Sequence, residues 1–563
     1  MKLSRSCIQS RYLWAFIAGL LLAASFPGIG IAGLAWVAPG LILASAIGRR
    51  GKAVFRVGYV AGLAHYLASL SWLLRIPVPT VWVWAPALGW FALGAFLALY
   101  PAVWVWLCWK TFPTKLTGEG NKSPLQNCAA QFLSVPWAQR IIWAGSCAAL
   151  WVSLEMTVAR FLGGFPWNLL GDSQFRMLPL IHIAAFTGVY GVSFLVVWTS
   201  LSFMSGAIVI LGRPAMRSVW LGEIILPMLA VAAIYGTGYE MLLRPEPKAP
   251  ELSIALVQPS IPQSLIWDKN AEADRFKQLI ALSESALTNK PDLLIWPEAA
   301  VPGLIRVDDQ FRQPILDLAR SHKTWIIIGA DDFTPHPGAK TFADCDFFNS
   351  SFVINPQGEI VGEYRKRNLV IFGEYVPLTR WLPFLKHLTP ITGGFTPGDG
   401  PVPFHLDNLN VNVSVLICFE DIFPHLAREY VSDDTDFLVN LTNNGWFGEG
   451  AAQWQHAAAA IFRAIENGLP LVRCANNGVT CWADAHGRLK WFESASNGIY
   501  GPGFMIVNVP VLAPGEKRAP TFYRLHGDRF GWGCVAFALL QILRAFARDH
   551  KSRPSQPLPS SNS

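Results

Sequence analysis

Charge is scarce in this sequence. Asp, Glu, Lys and Arg make up 15% of the 563 residues, while 52% are hydrophobic. Soluble domains carry nearer about 25% charged residues, so an ordinary soluble protein is excluded. Paired cysteine spacing is also missing. The nine cysteines include no CxxC, which argues against both a disulfide framework and a zinc site. Charge is entirely absent from residues 12–48.

What is present is unevenly spread. The apolar excess sits in residues 12–241 and again near 530–546, and the stretch between has a normal globular composition. The opening run could pass for a signal peptide, but a second apolar run follows it directly, so it reads as an anchor. Pro27 divides residues 12–48 into two short helices. Further spans are expected at 57–74, 81–109, 141–158, 181–211, 219–241 and 530–546, eight in all. Each can approach the roughly 20 residues of helix that a hydrocarbon core requires, the first pair and the last being short.

Basic residues fall in every second loop. Lys2, Arg5 and Arg11 precede the first span, and Arg49, Arg50, Lys52 and Arg56 follow the second. Lys110, Lys115, Lys122 and Arg140 follow the fourth, Arg213 and Arg217 the sixth, and Arg544, Arg548, Lys551 and Arg553 the eighth. That alternation places both termini in the cytoplasm and the globular stretch outside it. The net charge of +7 is thereby topological, and no nucleic-acid partner is needed. His65, Glu155 and Arg160 lie in or at the ends of spans, where ionisable groups often serve function. Interfacial anchoring is the expected role of Glu155 and Arg160, beside "GGFPWNLLGDSQ".

After the proline-rich "RPEPKAP", β-rich runs alternate with stretches of helical period. "LSIALVQPSI", "PDLLIWPEAA", "TWIIIGADDF", "NSSFVINPQGEIVGEY", "VNVSVLICFED", "DFLVNLTNNGWF", "LPLVRCANNG" and "GFMIVNVPV" read as strands. Such alternation implies an α/β domain with helices over buried sheets. Three strand ends share a peculiarity: Glu298 follows "LLIW", Lys366 follows "GEYR", and Cys418 follows "VLI". Singly, they read as a helix cap, a solvated lysine and a core cysteine. Together they are a base, a cation and a thiol at the carboxyl ends of strands, where α/β sheets gather ligands.

The motifs "IWPE", "YRKRNLVIFGEYVPL", "LICFED", "NNGWFG" and "RCANNGVT" resemble those of the nitrilase superfamily. With seven spans before the domain and one after, and with "GFPW" and "VQPSIPQSLIWD", the chain is similar to the apolipoprotein N-acyltransferase family of Gram-negative bacteria. Asn368, Ile371, Phe419 and Asn444 depart from that family's usual residues.

The resemblance implies a polytopic α-helical membrane bundle of about eight spans carrying a nitrilase-like α-β-β-α sandwich. Its expected parts are a seven-span region at 1–244, a periplasmic catalytic domain at 245–525, and a last helix with a cytoplasmic tail at 526–563. It implies Glu298 as general base, Lys366 as cation and Cys418 as nucleophile. The N–H of Phe419 is the candidate second oxyanion donor, Glu374 and Glu420 are candidates to orient Lys366 and Cys418, and Trp267 and Trp446 are expected to line an acyl site.

The implied reaction moves an acyl chain from a phospholipid, through a cysteine thioester, to the amine of a diacylglyceryl-cysteine. The implied partners are that phospholipid donor, the diacylglyceryl apolipoprotein acceptor and membrane lipids, met by a monomer in the inner membrane without metal or cofactor. Two rivals stand beside it. A membrane-anchored nitrilase-type amidase would use the same triad with water as acceptor, but one anchor would suffice for it. A transporter would leave the three strand ends unexplained and would need paired membrane charges along a pathway.

Overall fold

The uncharged runs fold as helices because a backbone in hydrocarbon must satisfy its own polar groups. The computed structural model describes residues 2–78, 80–114, 124–212, 221–244, 249–266, 268–377, 379, 381, 394–495 and 498–551. Among them, five helices are long and apolar enough to cross a membrane: Ala85–Thr111, Trp137–Val158, Val189–Leu211, Leu221–Leu243 and Arg529–Arg548. The first three expected spans overlap the helices Lys2–Ala24, Ala38–Ser45 and Lys52–Ser69, none of which is among those five. The chain bends after Ala24, at the expected proline. The expected span 181–211 is interrupted: two short helices, Leu178–Ile181 and Ala184–Thr187, end at Gly188 (φ 65°) before the long helix begins. Arg140 and Glu223 form a buried ion pair between two long helices, and Ser205 bonds the same carboxylate.

Among the described residues, the globular half has twelve strands. In chain order they are β1 (Glu251–Gln258), β2 (Leu293–Ile295), β3 (Trp325–Pro335), β4 (Cys345–Ile354), β5 (Ile360–Arg365), β6 (Pro403–Leu406), β7 (Val411–Ile417), β8 (Phe437–Thr442), β9 (Leu471–Ala475), β10 (Cys481–Ala483), β11 (Leu489–Trp491) and β12 (Gly503–Pro510). They make two six-stranded sheets, ordered β12-β1-β2-β3-β4-β5 and β11-β10-β9-β8-β7-β6. The central pairs β1–β2–β3 and β7–β8–β9 are parallel and the outer pairs antiparallel. β8 is buried along its whole length, as parallel strands covered on both faces require. "NSSFVINPQGEIVGEY" divides into the two strands β4 and β5. The short strands β6, β10 and β11 add to the expected set.

The sheets pack face to face, and the Cys474 thiol lies 3.3 Å from the carbonyl oxygens of Val257 and Ile295 in the opposite sheet. Helices Glu272–Leu287 and Asp309–His322 cover the first sheet through Phe276, Leu279, Phe311 and Ile315. The second sheet is covered by helix Ala451–Asn467, and there the domain does not end in solvent. One continuous apolar core runs from Val413, Val415 and Leu438 through Ala458 and Phe462 into Leu170, Val189 and Leu22 of the membrane half.

Candidate active site

Each expected triad residue stands just past a strand end, where the strand gives way to a loop. Glu298 follows β2, Lys366 follows β5, and Cys418 follows β7. The Glu298 loop lies close over β3 because residue 329 is glycine: a Cβ there would stand 2.4 Å from the carbonyl oxygen of Pro297. Cys418 itself adopts φ 52°, the left-handed region that costs a side-chain-bearing residue free energy. The backbone turns sharply there, from strand into the 3-10 turn Cys418–Ile422, and holds the thiol out at the strand end.

Lys366 is almost fully buried, and its ammonium contacts Glu374 Oε1 at 2.8 Å and Glu298 Oε1 at 3.3 Å. Asn349, on β4, donates its amide to the same two oxygens, at 2.8 Å to Glu298 and 2.9 Å to Glu374. The second oxygen of Glu298 accepts the backbone N–H of Asn443 at 2.8 Å, and that of Glu374 accepts Val370 N–H at 2.8 Å. The carboxylates are thus pinned from both sides. Burial opposes charge on Lys366, but Glu374 and then Glu298 outweigh it, and its pKa is raised above the ordinary lysine value. The negative field extends to Asp331, whose carboxyl is pushed up to about 7 by burial and then by Glu298 and Glu374.

The Cys418 thiol accepts a hydrogen bond from Thr442 Oγ1 at 3.4 Å. Burial, and next the charge of Glu298, push its pKa up to about 12, with Lys366 pulling the other way. Cys418 therefore rests as a thiol, and its sulfur would act as a nucleophile only if a base took its proton. Its carbonyl oxygen accepts from Asn440 Nδ2 at 3.0 Å and lies 3.2 Å from His456 Nε2. His456 Nε2 also lies 2.7 Å from Asp421 Oδ1, and Asp421 pairs with the buried Arg473. Burial and then Arg473 lower the pKa of His456, which disfavours a charged imidazolium beneath the Cys418 backbone.

Two family models match this chain. One described as Carbon-nitrogen hydrolase matches residues 253–501, and one described as Apolipoprotein N-acyltransferase N-terminal domain matches residues 18–202. An apolipoprotein N-acyltransferase of Geobacter metallireducens is 36% identical over 550 residues, 95% of each chain. The chain belongs to the apolipoprotein N-acyltransferase family. Relatives of the same name come from Rickettsia prowazekii, 30% identical over 84% of this chain and 86% of theirs, and Chlorobaculum tepidum, 29% identical over 96% and 97%. Among solved structures, an amidase of the nitrilase superfamily from Nesterenkonia sp. AN1 matches at 16% identity, covering 47% of this chain and 92% of its own, with a TM-score of 0.35. This family member is an acyltransferase, and its apolar helices make it a membrane protein.

The supporting residues expected from sequence are placed unequally. Glu374 is on the lysine. The Glu420 carboxylate binds mainly backbone beside the site. It accepts Ile417 N–H at 2.7 Å, Arg367 N–H at 2.8 Å, Asn368 N–H at 3.0 Å and the hydroxyl of Tyr364 at 2.8 Å. It therefore ties the residue before Cys418 to the two residues after Lys366. Phe419 is the second residue of its 3-10 turn, where an N–H has no carbonyl to bond within the turn. Its ring packs on Phe423 and, from the membrane half, stacks near Trp167, with centroids 6.4 Å apart. Trp446 sits half-buried in the turn Asn444–Phe447 after β8. Trp267 lies outside the described residues. Arg160 pairs with Asp528, and Glu155 accepts Leu170 N–H and Trp151 Nε1–H at 2.8 Å each. Their bonds hold protein to protein. Asn349 carries no local sequence signal of its role, since a lone asparagine in a β-rich run reads as ordinary strand polarity.

Proposed function

We propose that Glu298, Lys366 and Cys418 carry a two-step acyl transfer from a phospholipid to the N-terminal amine of a diacylglyceryl apolipoprotein. One observation supports it above others: a buried ammonium held by two carboxylates acts electrostatically on a thiol whose neighbour, Phe419, packs against the membrane half. In the first step Glu298 takes the thiol proton as sulfur attacks the ester carbonyl. Lys366 and the N–H of Phe419 stabilise the oxyanion. The C–O bond breaks, the departing lysophospholipid oxygen takes the proton back, and a thioester remains. In the second step the α-amine attacks the thioester carbon and gives a proton to Glu298. The C–S bond breaks, and the proton returns to sulfur.

Glu374 keeps Lys366 charged, Glu420 fixes the two strand ends relative to each other, and Trp446 lines the acyl path. Eight spans, with the boundaries 1–244, 245–525 and 526–563, place both termini in the cytoplasm and the catalytic domain on the periplasmic face of the inner membrane. The basic residues of alternate loops support this orientation. The enzyme acts as a monomer. Hydrolysis of a C–N bond by the same residues is the competing chemistry. The apolar core shared between sheet and spans favours substrates that are themselves embedded in the bilayer.

The deciding experiment incubates purified protein with phospholipid carrying a labelled acyl chain and locates the label by mass spectrometry. The expected adduct is on Cys418 and is discharged by a diacylglyceryl peptide but not by water. Rapid discharge to free fatty acid would favour the hydrolase.

A further inference from the structure

Helix Ala451–Asn467 belongs to the globular half, yet nearly all its side chains are buried. One side of it serves the nucleophile through His456. Another side reaches the membrane half through Gln455, which is 4% exposed. Gln455 Oε1 accepts the indole N–H groups of Trp72 at 3.0 Å and Trp167 at 2.8 Å. Its Nε2 donates to the carbonyl oxygens of Pro27 at 3.0 Å and Ser69 at 3.1 Å. A glutamine amide has two donors and two good acceptor positions, and all four are spent on the membrane half.

The two tryptophans so held are not remote. Trp167 packs on Phe419, the residue after the nucleophile, and on His456, with centroids 6.4 and 5.3 Å away. Trp72 packs edge-on against Phe447 at 4.5 Å, one residue past Trp446, and against Trp167 at 4.9 Å. Trp167 also lines a cavity in the membrane half with Phe26, Tyr100 and Trp104. Trp72 and Trp167 therefore form an aromatic wall between the bilayer side and the thiol, and Gln455 sets the orientation of both indoles.

We propose that Gln455 is a positioning residue for the lipid-dependent step, holding the aromatic wall past which an acyl chain must reach Cys418. Adhesion between the halves does not need it, because the apolar core already joins them. A polar group satisfied at four points instead selects one geometry among the many an apolar contact would allow. The inference rests on Cys418 as the residue that carries the acyl group.

The test uses full-length Gln455→Leu and Gln455→Glu proteins in phospholipid nanodiscs, with two rates measured on each. One is thioester formation on Cys418 from a long-chain phospholipid. The other is alkylation of Cys418 by iodoacetamide, which is small and needs no acyl path. Gln455→Leu is expected to slow thioester formation by about 10- to 100-fold, the scale of a small misplacement near a reacting centre. Its alkylation rate should stay within about 2-fold of wild type, since the thiol's own neighbours are untouched. Gln455→Glu still accepts both indoles but cannot donate to Pro27 and Ser69, so its thioester rate should lie between. An unchanged thioester rate in Gln455→Leu overturns the proposal. So does a parallel fall in both rates, which would mean that the residue merely holds the fold. Absence of any thioester on the wild-type protein overturns the reading of Cys418 itself, and this proposal with it.

Discussion

Glu298 and Glu374 share one ammonium and one amide: each places its Oε1 on Lys366, at 3.3 and 2.8 Å, and on the Nδ2 of Asn349, at 2.8 and 2.9 Å. Two carboxylates this close would repel, and the two donors between them offset that repulsion. The arrangement divides the labour. Glu374 lies nearer the lysine and exerts the larger pull on its proton, which in the proposed mechanism leaves Glu298 to exchange protons with substrate.

That division predicts distinct pH behaviour. Lys366 is raised above its ordinary value chiefly by Glu374, so Glu374→Gln should lower it. The ammonium is then lost at lower pH, and the alkaline limb of acyl-enzyme formation should move down. Lys366→Ala should cost on the order of 10²–10³ in that rate, the scale of a lost oxyanion donor. A pH–rate profile for Glu374→Gln whose alkaline limb stays in place would refute the assignment.

The thiol gives a prediction of opposite sign for two reactions. Glu298 helps to push Cys418 up to about 12, whereas Lys366 pulls it down. Glu298→Gln removes the raising charge, so the thiolate fraction between pH 7 and about 9 should increase. Iodoacetamide should alkylate Cys418 faster in Glu298→Gln than in wild type, while acyl transfer, deprived of its base, becomes slower. Cys418→Ala should show neither reaction. Slower alkylation in Glu298→Gln would mean that the carboxylate does not act on the thiol by charge.

Glu420 should behave as a clamp. Its carboxylate serves three backbone N–H groups at 2.7 to 3.0 Å, and the amide of Glu420→Gln would turn a donor toward at least one of them. An unsatisfied buried N–H costs about 1–3 kcal/mol, so a lower thermal midpoint is expected, together with slower thioester formation. Glu420→Gln protein with wild-type stability would remove the clamp from the account.

Orientation is testable without chemistry. A reporter active only in the periplasm should be active when fused after Pro247 and inactive after Arg217, as the alternation of basic loops requires. The reverse pattern would place the catalytic domain away from its proposed substrates.

Residues at strand ends were legible because a period-two or continuous apolar run stops at them, and Glu298, Lys366 and Cys418 all stop such runs. Asn349 gave no signal: strand alternation tells which face a side chain takes, but not that two carboxylates converge on that face. The positive φ of Cys418 was equally silent, since only glycine or asparagine would have announced it. Gln455 lies in an alanine-rich helix whose pattern says only that one stripe is apolar. Its partners Pro27, Ser69, Trp72 and Trp167 lie hundreds of residues away in the chain, beyond the reach of any local period. The short edge strands β6 and β11 are set by pairing with a neighbour, and a few residues cannot show that.

The apolar core that passes from the second sheet into the spans has a consequence for how the protein is made and handled. Chain 249–526, cut free, would present helix Ala451–Asn467 and its neighbours to water as a large sticky face. No soluble catalytic fragment is therefore to be expected from this gene product. The same logic singles out extraction as the hazardous step. A detergent that wedges between the helix and the spans would move Trp167 off Phe419 and silence the enzyme, while circular dichroism still reported both sheets intact.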